Sequence, residues 1–275
     1  MPELPEIETI KRGIISLETQ TILKVVVRNP KLRYAVDSDL DLILKNVKID
    51  RISRRAKYLI FDVSAKHNAQ HGHLIIHLGM SGSLTLTDNY TPLKKHDHVD
   101  IIFGSGNVLR YNDPRRFGCI IYTKNLENSA LLQHLGPEPL TDEFKAKYLF
   151  DKLSNKLSSI KQLIMDNTIV VGVGNIYACE ALFLAKISPL RPGKSISKRE
   201  TESLVKCIKQ VLEQAIELGG SSISDYKHAD GSLGYFQNIH NVYGRSGKPC
   251  KLCNETILEK RLGQRNSFYC INCQK

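Results

Sequence analysis

The chain has 275 residues, enough for one large domain or two ordinary ones, each with its own core. Its 41% hydrophobic and 24% charged residues give the balance of a soluble globular protein, and no apolar run approaches the roughly 18 residues of a membrane-spanning helix. Lys and Arg outnumber Asp and Glu by 39 to 28, a formal net charge of +11, which favours polyanionic partners, nucleic acid ahead of acidic membranes.

The first six residues are Met1-Pro2-Glu3-Leu4-Pro5-Glu6. Read alone, they are a helix start, with early prolines and acids in the first turn. Pro2 adds a chemical option, because an initiator methionine is commonly trimmed before proline. Trimming would leave a free secondary amine, and an α-amino group with a pKa near about 8 is partly unprotonated at neutral pH. Such an amine can attack a carbonyl-like carbon to form an iminium, with Glu3 beside it as a proton shuttle. The acidic terminus lacks the apolar stretch of a signal peptide, so the expected location is the cytoplasm.

Ile7, Ile10, Ile14 and Leu17 recur at helical spacing, predicting an amphipathic helix over 5–18 that anchors the terminus. Short β-rich runs follow at 22–27, 57–63, 73–78, 83–87, 99–103, 108–111 and 119–122, the pattern of an antiparallel sandwich or barrel. The polar, proline-containing stretch 124–148 reads as a connector. Helices are predicted over 142–153, 158–165 and 175–185. The capping box Ser197-x-x-Glu200 opens a longer helix that Gly219-Gly220 stops. Residues 221–236, rich in Gly, Ser and Asp, read as a mobile loop, and the last 35 or so form a small ribbon.

That ribbon carries Cys250-x2-Cys253-x16-Cys270-x2-Cys273, two thiolate pairs at a spacing suited to one tetrahedral Zn²⁺. Cys119, Cys179 and Cys207 sit among apolar residues and read as small buried hydrophobes. Gly172-Val173-Gly174-Asn175 leads into a helix whose first amides could bind a phosphate, or the glycines simply turn the chain. Asn112-Asp113-Pro114-Arg115-Arg116-Phe117-Gly118 is either a solvated basic turn or a tip where Arg meets a base edge and Phe wedges between bases. In His77-Leu78-Gly79-Met80-Ser81-Gly82, Met80 is either edge core or a second apolar wedge. Lys57, after Arg51, Arg54 and Arg55, and Arg265, between the cysteine pairs, could contact phosphates or be surface charge. His96 and His98 are expected on one side of an extended chain, as a DNA contact or strand-edge hydrogen bond rather than a metal site.

Pro2–Glu6, the segments 77–82 and 113–118, Val171-Gly172-Val173-Gly174-Asn175-Ile176-Tyr177 and the four-cysteine ribbon occur in one order along the whole chain. Together they closely resemble the bacterial formamidopyrimidine-DNA glycosylase family, also called 8-oxoguanine DNA glycosylases. The resemblance implies an α+β multidomain fold. Residues 1–128 would be a catalytic domain, an N-terminal helix with an antiparallel β-sandwich. A connector over 129–148, a helix-two-turns-helix domain over 149–236 and a zinc ribbon over 237–275 would follow, with DNA in the cleft between domains.

It also implies base excision of oxidised purines followed by β,δ-elimination at the abasic site. Pro2 would attack C1′, Glu3 would shuttle protons, and Lys57 and Arg265 would donate protons or grip phosphate. Met80, Arg115 and Phe117 would fill the void left by the extruded nucleotide, Arg115 facing the orphaned cytosine. His77, His96, Lys156 and Asn175 would contact DNA, Glu6 would support the terminus, and loop 219–236 would cap the lesion. The expected cofactor is one structural Zn²⁺, and the expected partner is double-stranded DNA with a damaged base, bound by a monomer. The endonuclease VIII branch, which prefers oxidised pyrimidines, shares the proline, helical motif and zinc. Leu4 and the Arg-Arg-Phe-Gly hairpin favour the purine branch. A non-catalytic zinc-ribbon DNA binder is the alternative of a different class.

Overall fold

The computed structural model describes residues 2–65, 71–221 and 234–275. Met1, whose removal the proline chemistry requires, lies outside them, as does most of the expected capping loop, residues 222–233. The chain divides into two compact units, Met1–Gln133 with Gly219–Tyr235, and His134–Leu218 with Phe236–Lys275. Among the described residues no helix is long and apolar enough to cross a membrane.

In the first unit, α1 (Leu4–Gly13) buries Leu4, Ile7 and Ile10. The helix predicted over 5–18 stops sooner, at Gly13, and continues as a 3-10 turn, Ile15–Leu17, that keeps Leu17 buried. Among the described residues, eight strands make two antiparallel four-stranded sheets. The first has the order β1 (Ile22–Val27), β6 (Asp97–Phe103), β7 (Asn107–Asn112), β5 (Ser83–Asp88). The second runs β2 (Val47–Arg55), β3 (Tyr58–Ala65), β4 (His71–His77), β8 (Cys119–Thr123). Inward side chains of both sheets and α1, among them Ile10, Ile52, Phe61, Ile76, Val99 and Phe103, form one apolar cluster. Burying each such side chain contributes about 1.5–3 kcal/mol. The sandwich therefore agrees with the sequence reading, with two additions that it lacked, β2 and the single-turn α2 (Leu40–Leu44).

The second unit contains α3 (Ala146–Leu153), α4 (Ile160–Ile164), α5 (Asn175–Leu184) and α6 (Lys198–Glu217). All lie within or close to the predicted spans. Eight of the ten residues of α5, Ile176 to Phe183, are buried, as expected of a helix apolar on all sides. Ser197 and Glu200 form the predicted capping box of α6. The glycines after that helix both take left-handed backbone angles, φ +74° at Gly219 and +78° at Gly220. The C-terminal hairpin pairs β9 (Ile257–Leu262) with β10 (Arg265–Cys270).

Candidate functional site

Pro2 is buried immediately ahead of α1. Glu3 and Glu6, each 2% exposed, form a capping box in which the Glu3 amide donates to Glu6 Oε2 at 2.8 Å and the Glu3 side chain accepts from the Glu6 amide. Glu6 Oε1 also accepts the Ser221 amide at 2.8 Å. One buried carboxylate thus fixes both the terminus and the residue that precedes 222–233.

Also in the first unit, two loops touch. In the first, 77–82, the Gly79 amide donates to His77 Nδ1 at 3.0 Å. Burial, then the nearby Lys57 and Arg33 charges, push the His77 pKa down to about 4, against an opposing pull from Asp113. The Tyr58 ring lies against the imidazole with centroids 4.8 Å apart. The second loop, 113–118, is exposed at Arg115 and Phe117, and the guanidinium stacks 4.7 Å from the Phe117 ring centroid. Met80 is half-buried in the first loop. The two backbones are so close that a Cβ on Gly79, already at φ +62°, would lie 2.5 Å from the Gly118 nitrogen. Lys57, half-buried in the turn between β2 and β3, is close enough to act on His77.

His96 has φ +74°, so the chain there is not extended and strand alternation does not order its ring, contrary to the sequence reading. The two imidazoles still approach, edge to face, with centroids 6.0 Å apart. His98 is buried and its Nε2 bonds the Asp113 carbonyl at 2.8 Å, the strand-edge hydrogen bond that was one of the two options.

In the second unit Asn175 opens α5, and its Oδ1 accepts from Lys161 Nζ at 2.6 Å. Lys161 is 1% exposed and donates as well to the Asn266 carbonyl at 2.9 Å and to Ser267 Oγ at 2.7 Å. It therefore ties the start of α5 to β10 next to Arg265, which is half-buried. Because lysine only donates, the Asn175 oxygen is held inward and its amide hydrogens are turned the other way. Lys156 is exposed in the turn after α3, with its carbonyl accepting the Lys194 amide at 2.9 Å.

The ligand atoms of Cys250, Cys253, Cys270 and Cys273 all lie within 4.8 Å of one another. Cys250 and Cys273 are 3.9 Å apart and Cys253 and Cys270 3.5 Å. A tetrahedron of thiolates around a metal at a Zn–S distance of about 2.3 Å has edges of about 3.8 Å, so the four sulfurs fit such an ion. Cys119, Cys179 and Cys207 are buried as expected.

The sequence reading singled out neither Lys161, Arg33 nor Asp113. For Lys161 the sequence offers no signal, since it stands between Ile160 and the polar Gln162 like an ordinary surface lysine.

Models of the formamidopyrimidine-DNA glycosylase N-terminal domain and H2TH domain match residues 1–120 and 135–227. The formamidopyrimidine-DNA glycosylase of Haemophilus influenzae is 50% identical over 276 residues, covering 100% of this chain and 99% of that one. The enzyme of Vibrio vulnificus is 50% identical over 275 residues, covering 100% of both. Among solved structures, a Lactococcus lactis Fpg bound to abasic-site DNA superposes with a TM-score of 0.89 at 34% identity, covering 100% of both chains. The Fpg protein of Thermus thermophilus gives 0.87 at 35%, covering 99% of this chain and 98% of that one.

Proposed function

The chain belongs to the formamidopyrimidine-DNA glycosylase family, and from that premise we propose that it excises oxidised purines, 8-oxoguanine and formamidopyrimidines, and then nicks the strand. The observation that carries this reading is the terminus, with Pro2 buried directly ahead of α1 and Glu3 fixed beside it in a capping box. Once Met1 is gone, the Pro2 nitrogen attacks C1′. A nitrogen–carbon bond forms there as the bond to the base breaks, and the departing base takes up a proton relayed by Glu3. The aminal so formed gives up the proline proton and opens its sugar ring: the C1′–O4′ bond breaks, O4′ takes up a proton relayed by Glu3, and the resulting iminium acidifies the neighbouring C2′ proton. Its loss expels the 3′ phosphate, and a second elimination expels the 5′ phosphate. Lys57 and Arg265 hold those phosphates and offset the charge on the leaving groups.

Extrusion costs a few kcal/mol of stacking and pairing, and Met80, Arg115 and Phe117 fill the vacated space, with Arg115 hydrogen-bonding the orphaned cytosine. The arginine–phenylalanine stack supports this role, because both planar side chains are exposed at the tip of one loop. His77, His96, Lys156 and Asn175 contact the DNA. The four cysteines hold one structural Zn²⁺ that shapes the hairpin carrying Arg265. The enzyme acts as a monomer in the cytoplasm, with its catalytic domain over 1–128, a connector over 129–148, the helical domain over 149–236 and the ribbon over 237–275.

Borohydride reduction of the mature protein with an 8-oxoguanine·C duplex should trap a covalent complex. A parallel duplex carrying an oxidised pyrimidine should trap more slowly. No trapping on either duplex would overturn the enzymatic reading in favour of a DNA binder, and faster trapping on the pyrimidine would move the chain to the endonuclease VIII type of substrate. Intact mass provides a cheap preliminary, since a retained Met1 would block the amine.

A further inference from the structure

We propose that Asp113 is the positioning residue that holds the two DNA-inserting loops as one rigid head. The inference rests on the void-filling roles assigned above to Met80, Arg115 and Phe117.

Asp113 is 0% exposed, and each of its four polar groups is engaged. Its Oδ1 accepts from Ser81 Oγ at 2.9 Å and from the Arg115 amide at 3.3 Å. Its Oδ2 accepts from the Gly118 amide at 2.9 Å and from Tyr111 Oη at 3.3 Å. Its own amide donates to the His96 carbonyl at 3.1 Å, and its carbonyl accepts from His98 Nε2 at 2.8 Å. An aspartate at the start of a turn ordinarily caps its own backbone two residues on and is otherwise solvated. Here the contacts also reach Ser81, which follows Met80 directly and sits 32 residues away in sequence. Ser81 Oγ in turn accepts the Arg115 amide at 3.3 Å, closing a ring of three groups across the two loops.

The two loops share these partners. Four N–H and O–H groups face its two oxygens, two of them shared: the Arg115 amide also reaches Ser81 Oγ, and the Tyr111 hydroxyl also reaches the His77 carbonyl at 3.2 Å. The close backbone approach at Gly79 and Gly118 gives the loops contact, but contact alone does not fix how far each tip projects. The carboxylate does so, because losing one acceptor strands a buried amide or hydroxyl. Met80 and the Arg115–Phe117 stack must enter a duplex together, and a misplacement of about 1 Å at such a site costs on the order of 100-fold in rate.

A test must separate positioning from mere folding. Single-turnover rates of wild type and Asp113→Asn are compared on an 8-oxoguanine·C duplex and on a single-stranded oligonucleotide with an abasic site, where nothing has to be extruded or filled. The asparagine is isosteric but turns one acceptor into a donor facing two donors. The expected result is a fall of about 100-fold on the duplex. Cleavage of the single strand should stay within about threefold, and the preference for C over A opposite the lesion should collapse. Equal losses on both substrates in a variant with normal thermal melting, or no loss on the duplex, would overturn the inference. Should Asp113→Asn fail to fold, Ser81→Ala removes only the link between loops. It should lower the duplex rate by about tenfold with the single-strand rate unchanged, and unchanged rates on both would overturn the inference. A wild-type protein inactive on both substrates would instead remove the glycosylase reading on which the inference stands.

Discussion

The Gly79 amide donates to Nδ1 of His77 at 3.0 Å, which leaves the imidazole hydrogen on Nε2. The ring is thereby a neutral donor of fixed direction, not a cation. Asparagine can reproduce the pattern, accepting from Gly79 through Oδ1 and donating through Nδ2. His77→Asn should keep affinity for abasic-site DNA within about tenfold, whereas His77→Asp, which places an acceptor where the donor was, should lose far more. Fluorescence anisotropy checks both, and equal losses would refute the tautomer assignment.

The same ring makes a pH prediction. Its pKa is depressed to about 4 in the folded protein, by burial first and then by Lys57 and Arg33. An unfolded histidine titrates near about 6.5. Between these values the unfolded chain takes up a proton that the folded chain refuses, so the contribution of His77 to stability is present above about pH 6.5 and is lost as pH falls towards 4. Urea unfolding of wild type and His77→Asn at steps from pH 7 to 4.5 should show the wild type losing more stability. Parallel curves would contradict the shift.

Glu200 behaves in the usual carboxylate sense. Its pairing with Arg191 holds its pKa down to about 2, helped by the Ser197 amide and hydroxyl. This contribution is present above the ordinary carboxylate range and lost as pH falls towards 2. Glutamine can still complete the capping box but cannot pair with Arg191. Glu200→Gln should therefore cost about 0.5–1 kcal/mol at pH 7 and almost nothing at pH 2.5. Thermal melts at both pH values decide it, and a cost that persists in acid would point to packing.

Cys250 is 1% exposed and stands in the cluster of Cys179, Phe183, Val242 and Ile257 as well as among the four thiols. Cys250→Ser should release one equivalent of zinc to a colorimetric chelator and disorder the β9–β10 hairpin, weakening DNA binding through Arg265. Unchanged metal content and affinity would argue against a structural ion.

Pro2→Gly keeps an α-amine but makes it primary and frees its backbone. Turnover should fall at least 100-fold while affinity for an uncleavable abasic analogue changes less than about threefold. Parallel losses would indicate that the substitution unseats α1 instead.

How far the sequence was readable depended on the element. Seven of the eight sandwich strands lie in runs of β-forming residues, and α6 was marked at its start by Ser197 and at its end by Gly219-Gly220. Strand β2 escaped because its register shifts between Ile49 and Arg51, so Asp50 and Arg51 are consecutively exposed and the alternation breaks mid-strand. With Arg54 and Arg55 following, the run reads as a basic surface segment. The single turn of α2 is too short to show a period. At the site, the residues expected to touch DNA each had an ordinary alternative by type alone, and only the order of the motifs along the whole chain favoured one reading. Asp113 and Lys161 work by being buried, and a buried ion looks like any surface charge in a sequence. His96 was misread for a third reason, since its left-handed backbone suspends the alternation on which the reading relied.

Gly234 packs so tightly on the end of the α6 segment that a Cβ there would lie 2.4 Å from the carbonyl oxygens of Gly219 and Gly220. Gly220 is crowded in the same way, since a Cβ on it would lie 2.7 Å from Glu6 Oε1, the oxygen that accepts the Ser221 amide. A methyl group at either glycine would therefore have to displace a backbone carbonyl or the buried carboxylate, a stricter demand than a left-handed turn alone makes.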